Sequence, residues 1–478
     1  MKRRLQKAGI ILSILLVILA TGYFAGTWYL KQKNEGTKQT TAQADGQKAE
    51  ADKEQAAGAR SDLQTEYDTI LEKCQKEFIS NRPIDENFLA WFHSKYGDET
   101  LKKVADEVEK ENQDPNLWYT LTGNTMQVLW VYYCRDTGYQ SELLENIYDK
   151  ECAGGETVLD FTGDINLSEG WSTTVFMDRQ PNGIYDCLSS DLMLELQSAD
   201  ILLINNEFTY SNRGTPLAGK AYTFRAAPSR VEVLQQLGAD IVSLANNHVY
   251  DYGEEALLDT MDTLEQAQIP YVGAGRNLEE AEKIVYFIAN GRKIAIVAAT
   301  QIERSYSYTK EATKDSPGVL KTLKPDKFTE VIREAKDNSD IVIVYPHWGT
   351  EGNHSYGSDQ KELAEAFVKA GADVIIGGHT HCLQGISYIE NVPVLYSLGN
   401  FWFNNKTLDT GVAQVRIQKD GDIRFRFLPC IQSETRTRLL TEGSQKTEVL
   451  DFMRGLSKDV SIDCLLYTSP SPRDTERS

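Results

Sequence analysis

The sequence predicts an α/β protein: a layered α/β sandwich reached through an N-terminal transmembrane helix and a small helical subdomain. Three observations carry this expectation. From Glu156 onward, short β-branched runs alternate with amphipathic stretches, the pattern of stacked sheets and helices. Between Ala8 and Leu30 no side chain is charged and most are aliphatic, enough to span a bilayer. In the stretch after Ser61, the apolar residues Leu63, Tyr67, Ile70, Leu71, Cys74 and Phe78 recur at helical spacing.

Residues 1–7 read as a cytoplasmic basic tail, because Lys2, Arg3, Arg4 and Lys7 precede the apolar run and the positive-inside rule keeps them in the cytoplasm. Residues 8–30 are then a transmembrane signal anchor, with the main domain extracytoplasmic. A cleavable signal peptide has a shorter apolar core and a small-residue cleavage site. Ala20, Gly22, Ala25 and Gly26 offer such a site, but the length of the run and the interfacial residues Trp28 and Tyr29 favour an uncleaved anchor. Residues 31–60 hold no aromatic or branched aliphatic side chain, so they cannot bury a core and read as a flexible linker. Residues 61–149 are expected to be the helical subdomain, in which Val128, Leu129, Val131 and Tyr132 mark a further helix and Trp91, Trp118 and Trp130 anticipate substantial packing.

The layered domain is expected over 156–440. Its strands are placed at 157–161, 201–205, 241–245, 293–299, 341–346, 374–377 and 394–397, with helices at 229–237, 253–268 and 359–370 between them. A hairpin is expected where 412–418 turns through Lys419-Asp420-Gly421-Asp422 into 423–427, since Asp-Gly favours a tight turn. Residues 464–478, including Cys464-Leu465-Leu466-Tyr467-Thr468-Ser469-Pro470, have no periodicity and resemble the in-frame translation of a sequencing adapter. They are set aside, and the natural carboxyl terminus is expected to be missing.

The formal net charge of −20 argues against nucleic acid or anionic lipid as a partner of the exported part. A polyanionic substrate would need a local basic groove or bound cations. Seven cysteines, six without Cys464, include no Cys-x-x-Cys pair. One or two disulfides among Cys74, Cys134, Cys152, Cys187 and Cys430 are compatible with an exported domain, and the spacing does not pair them.

The residues suited to chemistry follow apolar runs. Asp164 ends the first, Glu207 the second, Asn247 and His248 the third, and His347 a later one. Val374-Ile375-Ile376-Gly377-Gly378-His379-Thr380-His381 ends on a glycine pair and two histidines, at the carboxyl edge where α/β sheets bind ligands. An extended backbone there would turn both imidazoles to one side. Of six histidines, five (His248, His347, His354, His379, His381) lie between 248 and 381; His93 is the exception. Carboxylates, an amide and histidines form a mixed oxygen and nitrogen shell suited to Mn, Zn or Fe, as one or two divalent ions.

These motifs, from Thr162-Gly163-Asp164-Ile165 and Asn206-Glu207 through Ala245-Asn246-Asn247-His248, His347-Trp348-Gly349-Thr350-Glu351 and Ala370 to His381, to Ser397-Leu398-Gly399-Asn400-Phe401, carry a resemblance. Residues 156 to about 430 resemble the CapA family of capsule or poly-γ-glutamate biosynthesis proteins, related to calcineurin-like metallophosphatases. The resemblance implies a sandwich of metallophosphatase type, with Asp164, Glu207, Asn247, His347, His379 and His381 as metal ligands, Glu207 bridging, and His248 as the phosphate-facing acid. It departs at Asn166, an amide where metallophosphatases carry the histidine of Asp-x-His, so the ion count stays at one or two. Glu351 is expected to orient a histidine, bind substrate or serve the fold, and His354 to face solvent.

The leading expectation is a membrane-anchored CapA-like protein acting in capsule or poly-γ-glutamate synthesis, export or attachment, with a metal-dependent hydrolase-type site and a membrane polymer synthase as partner. The alternatives are a secreted phosphodiesterase or phosphatase acting on a phosphate ester, and a non-catalytic accessory subunit that binds an anionic polymer.

Overall fold

A computed structural model describes residues 64–72, 84–110, 114–140, 144–302 and 308–471. The expected anchor and linker lie outside these residues, as does Cys74. Among the described residues no helix is long and apolar enough to cross a membrane. The chain forms two compact units, the smaller within Met1–Glu109. Its helix Glu86–Val108 starts where Asp85 Oδ1 accepts the Phe88 N–H at 2.8 Å, and breaks at Gly97, whose φ of 79° lies outside the helical range.

The larger unit contains two sheets. In chain order its strands are β1 (Ile147–Lys150), β2 (Thr157–Ile165), β3 (Ile201–Asn206), β4 (Ile241–Ser243), β5 (Tyr271–Val272), β6 (Val285–Ala289), β7 (Arg292–Thr300), β8 (Ile341–His347), β9 (Val374–Ile376), β10 (Ile386–Ile389), β11 (Val392–Leu395), β12 (Asn400–Trp402), β13 (Leu408–Ile417), β14 (Ile423–Ser433) and β15 (Arg436–Leu439). One sheet runs β15-β14-β13-β2-β3-β4-β5, with β12 also paired to β2, and the other runs β1-β6-β7-β8-β9-β11-β10. The described residues of 110–149, grouped by sequence with the helical subdomain, belong to this larger unit, and β1 pairs in parallel with β6.

Period-two alternation sorts the side chains into layers. Ile201 and Leu203 of β3 share a core with Ile294 and Ile296 of β7, with Ile341 and Ile343 of β8, and with Val374 and Ile376 of β9; this core lies between the two sheets. The opposite faces are covered by helices. Leu202, Ile204 and Val242 pack with Leu192, Leu234 and Leu257, and Val297, Val344 and Ile375 pack with Phe328, Ile332 and Phe367. The result is helix, sheet, sheet, helix, as the α/β expectation requires. Each buried Ile or Leu contributes about 1.5–3 kcal/mol, and the central core shares this cohesion with the two outer layers.

The expected strands occur, each with one or both ends shifted. Three hairpins were not foreseen. β6 and β7 turn through Asn290 and Gly291, β10 and β11 through Glu390 and Asn391, and β14 and β15 through Glu434 and Thr435, all at positive φ as a type I′ turn requires. The domain also runs past 440: Val449, Leu450 and Met453 of helix Gly443–Leu456 enter the central core together with Ile462. Beyond it, Thr468–Pro470 pairs with Val460–Ile462, and the Tyr388 hydroxyl meets Thr468 Oγ1 at 2.7 Å. The described cysteines, among them Cys134, Cys152, Cys187 and Cys430, are all free thiols, so no disulfide joins them.

One buried acid stands apart from the site. Asp160 has no exposed surface; its Oδ1 accepts the Gln414 amide at 3.0 Å, while Oδ2 has no partner. Burial pushes its pKa from 3.8 to about 8. A carboxyl raised on folding favours the native state while protonated, so stability falls as pH climbs from about 4 towards about 8. Urea midpoints measured from pH 5 to pH 9 are expected to decline in the wild type, and Asp160→Asn to flatten that decline. An unchanged slope in the variant would show that Asp160 is already ionised at neutral pH.

Candidate metal centre

All parallel strands of one sheet present their carboxyl ends on one edge, and here the two edges meet. Asp164 ends β2, Glu207 follows β3, Asn247 and His248 follow β4, His347 ends β8, and His379 and His381 follow β9. Two glycines allow the closure. A Cβ at Gly163 would sit 2.0 Å from the Gly399 carbonyl oxygen, and one at Gly377 would sit 2.1 Å from the Tyr396 carbonyl oxygen. Without a side chain at 163, Asp164 N–H donates to Gly399 O at 2.9 Å, and β12 lies alongside with Asn400 opposite Asp164.

Two groups of ligand atoms form at this meeting point: Glu207 with His347 and His379, and Asp164 with Glu207 and His381. Glu207 is common to both. His347 Nε2 lies 2.8 Å from Asn247 Oδ1, 3.1 Å from His379 Nδ1 and 3.3 Å from Glu207 Oε1. A single ring nitrogen has one hydrogen or one lone pair, so it cannot satisfy all three. His381 Nδ1 lies 3.1 Å from Asp164 Oδ2 and 2.8 Å from Asn400 Oδ1.

The electrostatics favour a cation. Glu207 has no exposed surface, and neither carboxylate oxygen has a hydrogen-bond partner. Burial, reinforced by the charges of Asp164 and Glu351, holds its pKa well above the usual range. An ionised carboxylate so placed costs several kcal/mol unless an opposite charge joins it. Burial also depresses His347, to about 3, and His379, so both are neutral with lone pairs available. At the second group burial opposes charge on both partners, yet the His381 and Asp164 interaction outweighs it, raising the histidine and lowering the acid. An orphaned buried carboxylate among neutral imidazoles and an amide oxygen fits a divalent ion.

His248 is built differently. Its Nδ1 lies 2.7 Å from Asp251 Oδ2, and the same carboxylate accepts the Phe224 N–H at 2.7 Å and the Lys220 ammonium at 2.6 Å. Because the carboxylate only accepts, Nδ1 carries the hydrogen and Nε2 is left for the cleft. Lys220 Nζ also donates to the Asn247 carbonyl oxygen.

All seven residues singled out in the sequence therefore come together at one edge. The extended backbone expected across His379 and His381 does not occur. Both residues sit at positive φ, 95° and 55°, which sends His379 towards His347 and His381 towards Asp164. Such conformations are costly for non-glycine residues and persist where the surroundings enforce them. Asn166 is occupied by the fold: its Oδ1 accepts the Ser168 N–H at 2.8 Å and closes a turn. Glu351 is exposed beside the cleft, and His354 is exposed as expected, with Nδ1 2.8 Å from the Leu383 carbonyl oxygen.

Four supporting residues were missed: Asn205, which donates to Asp164 Oδ1 at 2.7 Å, and Asn400, Asp251 and Lys220. Asn205 ends the strand expected over 201–205, Asn400 stands in the Ser397–Phe401 motif, and Asp251 lies three residues beyond His248; Lys220 carries no local signal. The cleft over the site encloses about 680 Å³ and is lined by His248, His381 and Asn400 at its floor. A groove of about 730 Å³ near Gly154 and Arg416 lies at the opposite, amino-terminal end of β2, away from this chemistry.

Comparison with known proteins gives consistent results. Residues 158–405 match the family described as bacterial capsule synthesis protein PGA_cap. The capsule biosynthesis protein CapA of Bacillus anthracis is 34% identical over 255 residues, 52% of this chain and 60% of that protein. The PGA biosynthesis protein CapA of Bacillus subtilis is 34% identical over 259 residues, 53% of this chain and 66% of that protein. A probable polyglutamine synthesis accessory protein of Mycobacterium tuberculosis is 30% identical over 215 residues, 44% and 57% of the respective chains. The matches thus span less than two thirds of each relative.

The orphaned carboxylate yields a direct test. In chelator-treated protein near neutral pH, Glu207→Gln is expected to raise stability by roughly 1–3 kcal/mol, because the unfolded chain ionises Glu207 while burial keeps the folded carboxyl protonated, and an amide carries no such cost. Manganese is expected to raise the melting midpoint of the wild type and leave that of the variant in place. Calorimetry with and without the ion reads both effects, and a less stable metal-free variant would refute the assignment.

Proposed function

Because the chain belongs to the PGA_cap family of bacterial capsule synthesis proteins, we propose that it acts in making, exporting or attaching a capsule polymer such as poly-γ-glutamate, through a divalent-metal site of hydrolase type. The observation that carries this reading is the sharing of buried Glu207 between two ligand groups. Mn, Zn or Fe suits the mixed donors, as one or two ions. When bound, such ions supply Lewis-acid polarisation of a phosphoryl or carbonyl oxygen and a nucleophile at neutral pH.

The chain's own residues would do the rest. Asp164, Glu207, Asn247, His347, His379 and His381 hold the ions, and the cleft above admits the substrate. His248 moves a proton at Nε2, oriented and stabilised through Nδ1 by Asp251. Asn205 and Asn400 keep Asp164 and His381 in place through hydrogen bonds. An N-terminal anchor over 8–30 would fix this domain outside the cell membrane, near a membrane synthase.

The test is elemental analysis and turnover of bis(p-nitrophenyl) phosphate after reconstitution with manganese. His379→Ala is expected to lose most bound metal. His248→Ala is expected to keep it and lose turnover by about 100-fold or more, the usual weight of a general acid or base. If the wild type binds metal without any turnover, the accessory-subunit reading replaces the catalytic one; if it binds neither metal nor substrate, the metal-centre reading falls.

A further inference from the structure

We propose that Glu351 makes the cleft over the metal centre selective for a ligand bearing a primary ammonium group close to its metal-bound anionic end. The amino end of a glutamate polymer is such a group, and the interior of that polymer is not. This deepens the metal-site reading above and rests on it for the anionic end of the ligand.

The loop that carries Glu351 is fastened to the segment that carries His379 and His381. Trp348 N–H donates to the Gly378 carbonyl oxygen at 3.3 Å and Gly352 N–H to the Thr380 carbonyl oxygen at 2.8 Å, on either side of His379. Gly349 and Gly352 take φ of 90° and 69°, which a side chain would disfavour, and the Gln384 amide donates to the Asn353 carbonyl oxygen at 2.9 Å. Glu351 therefore lines the same cleft as His248 and His381, and its charge acts on both Glu207 and His381.

The Glu351 side chain is left without a task inside the protein. It is exposed, and it joins no hydrogen bond or ion pair among the described residues. It orients no histidine of the cleft either: Asp164 and Asn400 meet Nδ1 of His381, Asp251 meets that of His248, and the Leu383 carbonyl oxygen meets that of His354. Of orienting a histidine, serving the fold and binding substrate, only the last gives this carboxylate a partner.

Charge decides what that partner is. Asp164 and Glu207 bring two negative charges to the floor, which one divalent ion cancels and two ions exceed by two. The ions thus draw in an anionic group, while Glu351 opposes it from the cleft lining. An ammonium next to that group turns the opposition into attraction. Lys406, the one lysine of the lining, forms no ion pair with Glu351, so the carboxylate stays available. The cleft also has an aromatic wall: Phe224 packs on His248 with ring centroids 4.5 Å apart, Phe403 on His381 at 4.7 Å, and Trp171 edge-on to Phe224 at 5.0 Å. Tyr222 extends it and is 62% exposed. Such walls reduce solvent screening within a cleft, and their ring faces accept a cation.

Isothermal titration of the manganese-loaded full chain in detergent at pH 7 tests this with two matched pairs: 2-aminoethylphosphonate against propylphosphonate, and tetra-γ-glutamate with a free against an acetylated amino end. The wild type is expected to bind the amine of each pair roughly five-fold more tightly, the upper range for an exposed ion pair. Glu351→Gln is expected to erase both preferences, weakening the amines and leaving propylphosphonate bound as well or slightly better, with manganese affinity unchanged. Equal affinities within the phosphonate pair in the wild type, or preferences that survive in Glu351→Gln, would overturn the proposal. A preference confined to the phosphonates would keep Glu351 as the ammonium site and remove the glutamate polymer from the proposed function. Glu351-dependent preferences that persist after manganese is chelated would instead sink the metal-centre reading and leave the ammonium site standing.

Discussion

A carboxylate without a donor governs the centre of this molecule. Glu207 is fully buried, receives no hydrogen bond, and faces histidines that burial keeps neutral. Such a group is tolerable only protonated or beside a cation, so everything around it is arranged either to exclude water or to offer further lone pairs. The surrounding fold supplies the stability for this. The core between the sheets is apolar, and the polar residues of the site lie at one edge of it.

The strands were legible because β-branched runs of four to seven residues ended in turn residues, and the site was legible because its members follow those runs. What could not be read was three-dimensional pairing. β12 is three residues long, and its place beside Asp164 depends on a pairing across more than 230 residues of sequence. The Asn290-Gly291 turn was a local signal that the alternating pattern of strands and helices obscured. Glu390 and Asn391 gave no glycine, so that hairpin had no comparable mark. The backbone at His379 and His381 was misread because positive φ is rare for histidine, and only the surrounding ligand cluster selects it.

His248 and the aromatic wall share a support. Lys220 and the Phe224 N–H both donate to Asp251, which also holds His248. The segment that carries Tyr222 and Phe224 is therefore secured to the same carboxylate that orients the His248 imidazole. Fixing one fixes the other, and the buried ion pair is retained at the point where orientation matters most.

The pairing of β12 and β13 with β2 also constrains how the chain can be made. Asp164 faces Asn400, and Thr162 faces Val412, so an early strand waits for partners that are synthesised far later. Contacts of such sequence separation form late and slow the search for the native state. A nascent chain that stopped short of Asn400 would leave the Asp164 edge without β12 and His381 with one of its two partners missing. The polar edge is therefore assembled only once the last third of the domain has been made, and partly made chains lack it.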